Sequence, residues 1–126
     1  MIRLADEKIS EFIKYLSKNH ASPHCPVMLT ILHGYDTVRT ETDAGFGVYV
    51  PGDKPVIMIA GEMPEELGDD KLYYTLHTIA HEYMHHIQAC TDTVYSEDDA
   101  DLFADKITDE FMRECGVATM NCDIKA

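Results

Sequence analysis

A helical repeat of large apolar residues between positions 72 and 87 constrains the fold of this chain more than any other feature of its sequence. The repeat comprises Leu72, Leu76, Ile79, Tyr83 and Ile87. Their spacing places them along one face of an α-helix, and such a face needs a hydrophobic core to pack against. His81 and His85 lie on nearly the opposite face, about 40° apart on a wheel with about 100° per residue. The sequence therefore predicts a helix with one packed face and one face that carries two imidazoles.

The two histidines belong to the segment His81-Glu82-Tyr83-Met84-His85, which has the HExxH pattern. Histidines at this spacing on a helix can bind one zinc ion together. Glu82 is rotated by about 100° from His81, so it can reach a water molecule beside the ion instead of binding the ion itself. The pattern thus predicts two metal ligands, His81 and His85, and a general base, Glu82. The alternative is that these histidines lie on an exposed helix face and bind no metal.

Acidic residues downstream of His85 are candidates for the third protein ligand that a catalytic zinc ion needs. No HExxHxxGxxH continuation is present, but Glu97 and Asp101 follow at a spacing of one helical turn. We predict that Glu97 is the third ligand and that Asp101 hydrogen-bonds a ligating imidazole. Asp92 and Asp98 are weaker ligand candidates. The alternative is an acidic, solvent-exposed helix start, which the helix dipole also favours.

For the other polar residues near the motif, sequence position is compatible with more than one role. His77 lies one turn before His81 and could close the site as a fourth ligand, although a hydrogen-bonding role is the preferred interpretation. Hydrolysis also requires a donor for the developing oxyanion. Tyr74, His77 and Tyr95 are the candidates for that donor, and the sequence does not rank them.

Two further helices are predicted, one on each side of the HExxH helix along the chain. Apolar residues recur at helical spacing over positions 5–18. A second such pattern covers 97–115, where Gly116 can end the helix in a left-handed conformation. Asp69 or Asp70 can cap the start of the HExxH helix.

Three short apolar runs, at 27–32, 46–50 and 55–60, are typical of strands. The four-residue turn between the last two predicts an antiparallel hairpin. We expect a single α+β domain over 1–126, with a small, mostly antiparallel sheet of three or four strands. The N-terminal helix, the HExxH helix and the C-terminal helix would cover that sheet.

The acidic composition argues against several classes of partner. Ten Lys and Arg against 23 Asp and Glu give a formal net charge of −13. Nucleic acid and anionic membrane surfaces require clustered Lys and Arg, so we expect neither as a partner. No apolar run of about 18 residues is present, and we expect a cytoplasmic protein. The four cysteines include no Cys-x-x-Cys pair and are expected to be free thiols.

A family resemblance appears in the HExxH motif together with the segment Glu-x-x-Ala-Asp-x-Phe-Ala at 97–104. This combination resembles the gluzincin metallopeptidases, especially the ImmA/IrrE-type domain. The segments Gly47-Val48-Tyr49-Val50, Val56-Ile57-Met58-Ile59 and Leu76-His77-Thr78-Ile79-Ala80 are also similar to that family.

The resemblance covers about positions 45–112 and implies a minimal zincin fold. It further implies that His81, His85 and Glu97 bind zinc and that Glu82 is the base. Members of the family often act on regulatory proteins, sometimes beside a DNA-binding module. The first 44 residues match no motif of the family, so the substrate is not implied.

We therefore expect a zinc-dependent metallopeptidase that hydrolyses peptide bonds in a protein substrate, with a zinc-bound water activated by Glu82. One zinc ion would bind per chain, and an edge strand at 46–50 or 55–60 would pair with the extended substrate. The alternative is a non-catalytic, zinc-containing regulatory or immunity module that binds a protein partner. A fourth ligand from His77 or Asp92 would favour that alternative. A metal-dependent hydrolase with a non-peptide substrate is a third hypothesis.

Overall fold

The computed structural model describes residues 4–20, 27–39 and 44–114, which form three long helices and two small sheets. The helices α1, α2 and α3 span Leu4–His20, Lys71–Cys90 and Glu97–Glu114. The strands β1 to β5 span Met28–Leu32, Val38–Arg39, Ala44–Gly45, Gly47–Val50 and Val56–Ala60. A short 3₁₀ helix at Glu65–Asp70 leads into α2. The fold is α+β, as the sequence predicted.

The main sheet contains three strands in the order β1-β5-β4. Strands β4 and β5 form the predicted antiparallel hairpin, with Gly47 opposite Ile59 and Val50 opposite Val56. Strand β1 pairs with β5 in parallel, so the prediction of a mostly antiparallel sheet was wrong and the sheet is mixed. The cause is connectivity, because the long segment between β1 and β5 exceeds the dozen or so residues that a parallel connection needs.

Strands β2 and β3 form a separate antiparallel pair that the sequence did not predict. Each strand has only two residues, too few for an alternating pattern to be recognised. Val38 of β2 is buried in a small cluster with Val48 and Ala60. The pair therefore covers part of the main sheet through apolar packing.

The main hydrophobic core lies between the three helices and the main sheet. Phe12 of α1 and Phe111 of α3 pack edge to face, with 5.0 Å between their ring centroids. Aromatic pairs favour this geometry. The helical spacing in the sequence correctly identified the buried face of α1 and the apolar stripe of α2. The buried core residues are Ile9, Phe12, Leu16, Ile57, Ile59, Leu76, Ile79, Ala80, Tyr83, Ala104, Ile107 and Phe111.

Helix α2 is the central element, since it contacts the main sheet on one side and α3 on the other. In the second half of α2, polar residues outside the apolar stripe are buried as well. They are Glu82, His85, His86 and Gln88. The buried surface of α2 is therefore wider than the apolar stripe that the sequence indicated. Helix α3 and the loop before it cover the histidine face, which reduces its contact with water and strengthens electrostatic interactions there.

The start of α2 differs from the predicted cap. Asp70 occupies the N-cap position, but its side chain makes no capping hydrogen bond. The chain instead enters α2 from the 3₁₀ helix, where the backbone N–H of Lys71 bonds to the carbonyl of Gly68. Gly68 has a positive φ of 53°, a conformation that glycine adopts without steric cost.

Some sequence predictions fall outside the described residues. These include the C-terminal cap at Gly116 and three of the four cysteines, Cys25, Cys115 and Cys122. Cys90 is described and is a free thiol. None of the helices in the described part of the chain has the length and apolar character needed to cross a membrane.

Candidate metal centre

Helices α2 and α3 run side by side in opposite directions and are joined by four side-chain pairs, which we call the helix–helix ladder. Each step of four residues along α2 is matched by a step of four residues back along α3, so the pairs lie in line. The distances are 2.7 Å for His85 Nε2 to Glu97 Oε1, 2.8 Å for His81 Nδ1 to Asp101 Oδ1 and 2.7 Å for His77 Nε2 to Asp105 Oδ1. The fourth pair is a hydrogen bond between Tyr73 and Asp109.

At one end of the ladder, the three ligands predicted from the sequence come together. His81 Nε2 and His85 Nε2 are 3.2 Å apart. Glu97 Oε1 lies 2.9 Å from the first nitrogen and 2.7 Å from the second. The three atoms form a compact triangle at the junction of the two helices. We call this group the His-His-Glu triad.

Gln88 determines which nitrogen of His85 carries the proton. The amide Nε2 of Gln88 donates to the carbonyl of Ser96 at 3.2 Å, and its Oε1 accepts from the Ser96 N–H at 3.3 Å. These two bonds fix the orientation of the amide. The same Oε1 lies 3.0 Å from His85 Nδ1, so Nδ1 carries the hydrogen and donates a hydrogen bond to it. The Nε2 lone pair of neutral His85 therefore points into the triad.

Asp101 has the same effect on His81. Its Oδ1 accepts from His81 Nδ1 at 2.8 Å, which leaves the Nε2 of the neutral imidazole as a lone-pair donor. Carboxylates that hold imidazoles in this way make them more basic and better metal ligands. The contact is the one that the sequence predicted for Asp101.

The chemistry of the donor set fits a divalent metal ion. Two imidazole lone pairs and a carboxylate oxygen face one another, and a single proton can join only two of the three atoms. A cation at the centre interacts favourably with all three. Tetrahedral zinc with bonds of about 2.1 Å separates its ligand atoms by about 3.4 Å, which is roughly 0.2 to 0.7 Å more than in the triad. The side chain of Glu97 is 62% exposed, so it can move outward by this amount.

Glu97 is held as a carboxylate. Burial raises its pKa, but imidazoles of His85 and His81 that carry a proton on Nε2, as they can when no metal is bound, donate hydrogen bonds to Glu97 and, with their positive charge, bring its pKa below the usual value. Glu97 is also the first residue of α3, where the partial positive charge of a helix N-terminus favours an anion. The Ser96 hydroxyl accepts from the Asp99 N–H at 3.1 Å, which caps this helix start. The local structure thus supplies a negatively charged ligand at neutral pH.

Glu82 lies beside the triad without belonging to it. The side chain is buried, with a residue exposure of 9%, and it packs near β4 at Gly47. A Cβ atom on Gly47 would lie 2.5 Å from Thr78 Cγ2 and 3.4 Å from Glu82 Cγ. The absence of a side chain at Gly47 therefore lets α2 approach β4 closely and sets the position of Glu82.

A pocket of about 190 Å³ opens next to Glu82 and His85. The ring of Tyr95 stacks flat on the imidazole of His85, with 4.3 Å between centroids and 6° between planes. Tyr49 also lines this pocket, and its hydroxyl lies 2.9 Å from His86 Nδ1. The residues that line this pocket are Tyr49, Pro51, Glu82, His85, Gln88, Ala89, Thr93 and Tyr95.

The weaker ligand candidates lie outside the triad. His77 pairs with Asp105, and its role in the described structure is a hydrogen-bonding one. Asp92 and Asp98 are exposed and do not belong to the triad. Over the described ranges, the triad is the one group of three or more His, Cys, Asp or Glu side chains that could hold a metal ion.

Sequence reasoning did not identify four residues that shape the site: Gln88, Ser96, Gly47 and Tyr49. Two of them carry a detectable signal. Gln88 follows His85 at a helical spacing of three, and Ser96 precedes Asp99 in a capping pattern. The sequence indicated the strand at 46–50 as one of two candidates to pair with a substrate, but not the roles of Gly47 and Tyr49, which depend on how β4 packs on α2.

Comparison of the chain with protein-family models, with characterised proteins and with solved structures found no match. The resemblance to ImmA/IrrE-type gluzincins thus stays a prediction from the sequence.

Proposed function

We propose that the protein is a zinc-dependent metallopeptidase. The observation that carries the proposal is the convergence of two imidazole lone pairs and one carboxylate beside the buried carboxyl group of Glu82. A catalytic zinc site has three protein ligands and leaves a fourth position for water or substrate. The number and type of side chains in the triad agree with this arrangement.

The protein residues have distinct roles in the proposed reaction. His81, His85 and Glu97 would hold the ion, which supplies a Lewis acid that polarises a carbonyl and lowers the pKa of a water molecule. Glu82 accepts the proton of the water as its oxygen attacks the carbonyl carbon of the peptide. When the C–N bond breaks, Glu82 delivers that proton to the leaving amine.

The sheet supports an extended peptide as the substrate. Strand β5 is in the centre of the main sheet, so of the two strands considered from the sequence only β4 remains for substrate pairing. Strand β4 lies at the edge of that sheet and packs on α2 close to Glu82. A peptide that adds to an edge strand forms regular main-chain hydrogen bonds, which bind it independently of its sequence.

The non-catalytic alternative is less well supported. A structural zinc site is usually closed by four side chains. In the described residues the triad supplies three, and the nearby His77 is engaged with Asp105. A buried glutamate beside the ligands is also more useful to an enzyme than to a purely structural site.

Metal content tests the ligand set. Mass spectrometry of the purified chain should find about one zinc ion per protein, and His85→Ala and Glu97→Ala should lose it. Asp98→Ala is the matched control for Glu97→Ala, because it removes the neighbouring exposed carboxylate. Equal metal content in Glu97→Ala and Asp98→Ala would contradict the assignment of Glu97.

Activity tests the reaction. The zinc-loaded protein should cleave members of a broad panel of peptides and unfolded proteins, and Glu82→Gln should be at least about 100-fold slower because it lacks a general base. Metal content must be equal in the two proteins. Absence of cleavage by both, with zinc bound, would count against a peptidase.

A further inference from the structure

The pocket beside Glu82 and His85 has the size of a subsite and not of a complete ligand site. Its volume is about 190 Å³, whereas pockets that enclose drug-sized molecules measure about 300 to 1,000 Å³. Because Glu82 and His85 form part of its wall, the backbone that carries an occupying side chain would lie next to the reacting groups. The pocket is therefore suited to one side chain of a bound peptide.

The walls of the pocket favour an apolar side chain. Two aromatic rings, Pro51 and Ala89 contribute to its lining. The ring of Tyr95 is held flat against His85. The carbonyl oxygen of Gln88 already accepts from His85 Nδ1 and the Ser96 N–H, which occupies both of its lone pairs. A polar occupant would lose its contacts with water and gain little in exchange.

Charge excludes an acidic occupant. The chain has no Lys or Arg between positions 72 and 105. Apart from Lys71 at the first turn of α2, no Lys or Arg of α2, the following loop or the first half of α3 can therefore neutralise a carboxylate there. Glu82 lines the pocket. An acidic side chain would face its like charge in a partly buried space. A basic side chain would pair with Glu82 and remove the base from the reaction.

We propose that this pocket selects one bulky, uncharged apolar side chain, of the class of Leu, Met or Phe, at a single substrate position next to the cleaved bond. The proposal rests on the proposed peptidase function and names its substrate preference. Tyr95, Tyr49 and Ala89 all line the pocket, and the small side chain of Ala89 leaves room in it for the substrate side chain.

Ala89 gives a direct way to fill the pocket. It lies on an exposed part of α2, so a larger side chain there should be accommodated without disturbing the core. Ala89→Phe would occupy the space that the substrate side chain needs. Thr93→Phe fills the same pocket from the loop before α3 and serves as a second variant. Met28→Phe is the control, because Met28 is 63% exposed on β1, at the opposite edge of the sheet.

Binding should be measured in the zinc-loaded Glu82→Gln background, in which cleavage is expected to be at least about 100-fold slower. The probes are fluorescein-labelled peptides that differ only at one scanned position, which carries Phe, Leu, Ala, Lys or Glu. At one scanned position, Phe or Leu should bind about 10-fold or more tightly than Ala. Ala89→Phe and Thr93→Phe should abolish this preference, whereas Met28→Phe should retain it, all with unchanged zinc content.

The design separates this inference from the proposed function. If the wild-type protein cleaves peptides with no side-chain preference, and Ala89→Phe cleaves them equally well, the pocket proposal is overturned and the peptidase stands. If the wild-type protein cleaves none, but the Glu82→Gln protein binds with an apolar preference that Ala89→Phe abolishes, the pocket is supported and the peptidase is rejected.

Discussion

Replacement of Asp101 by Asn gives the most sensitive test of how the triad is organised. Asp101 accepts a hydrogen bond from His81 Nδ1 at 2.8 Å, and an Asn side chain can keep that bond while losing its negative charge. Asp99→Asn is the matched control, because it removes the same charge from an exposed residue on the same helix. The difference between the two variants isolates the contact with His81 from the general effect of net charge.

The expected magnitude follows from the geometry and the exposure of Asp101. Loss of a carboxylate that orients a ligating imidazole typically lowers metal affinity by about 10- to 100-fold. The side chain of Asp101 is 59% exposed, so water and salt screen its charge and the lower end of that range applies. We expect a zinc affinity about 10-fold weaker, or about 1.4 kcal/mol. Asp99→Asn should change the affinity by less than about 2-fold, since its charge makes no contact with a ligand.

Competition with a chromophoric zinc chelator at fixed pH and ionic strength measures these affinities. Thermal unfolding of the metal-free proteins provides the second readout, and it should be alike in the two variants because both positions are exposed. Equal zinc affinities for Asp101→Asn and Asp99→Asn would refute the argument that Asp101 acts on the metal through His81. A weaker affinity accompanied by an equal loss of metal-free stability would assign Asp101 a structural role instead.

Three other substitutions probe the packing around the site. Gly47→Ala should lower the free energy of unfolding, measured by urea unfolding, by roughly 1 to 3 kcal/mol, because the new Cβ would lie 2.5 Å from Thr78 Cγ2. The enzyme's turnover should fall more than its zinc content, because the new Cβ also displaces Glu82. Thr108→Val should raise the free energy of unfolding by about 1 kcal/mol, since the buried Thr108 hydroxyl lacks a hydrogen-bond partner among the described residues; a decrease in the same urea assay would contradict this. Burial, together with the Asp109 carboxylate, raises the pKa of Tyr73 from 10.0 to about 12. The contribution of the protonated Tyr73 to the free energy of unfolding is therefore present below pH 10 and is lost as the pH rises to about 12. Tyr73→Phe should therefore reduce the fall in unfolding free energy across that interval, as measured by urea titrations at stepped pH.

The sequence predicted those parts of the site that depend on spacing within a helix. The apolar repeat around Leu76 and Ile79 indicated the orientation of α2, and the HExxH pattern placed His81 and His85 one turn apart. The four-residue interval between Glu97 and Asp101 placed both carboxylates on the side of α3 that meets α2. These relations are local, because helical geometry alone converts the spacing into a shared face.

Relations between distant segments were predicted less well. The parallel pairing of β1 with β5 depends on the path of the intervening chain, which no pattern in either strand encodes. The burial of the histidine face of α2 depends on how the loop before α3 folds back, and the Gln88 bonds to Ser96 are part of that folding. Side-chain contacts across such junctions become apparent only when the elements are assembled.

The helix–helix ladder also determines where the chain can change length. One residue inserted between His81 and His85 would rotate every later side chain by about 100° and advance it by about 1.5 Å. His81 and His85 could then no longer face Glu97 together, and the pairs on the two sides of the insertion would separate. Insertions before Tyr73 or after Asp109 leave all four pairs aligned. Related chains should therefore keep the segments 73–85 and 97–109 free of insertions and deletions, a length constraint that could reveal common ancestry where sequence identity is too low to do so.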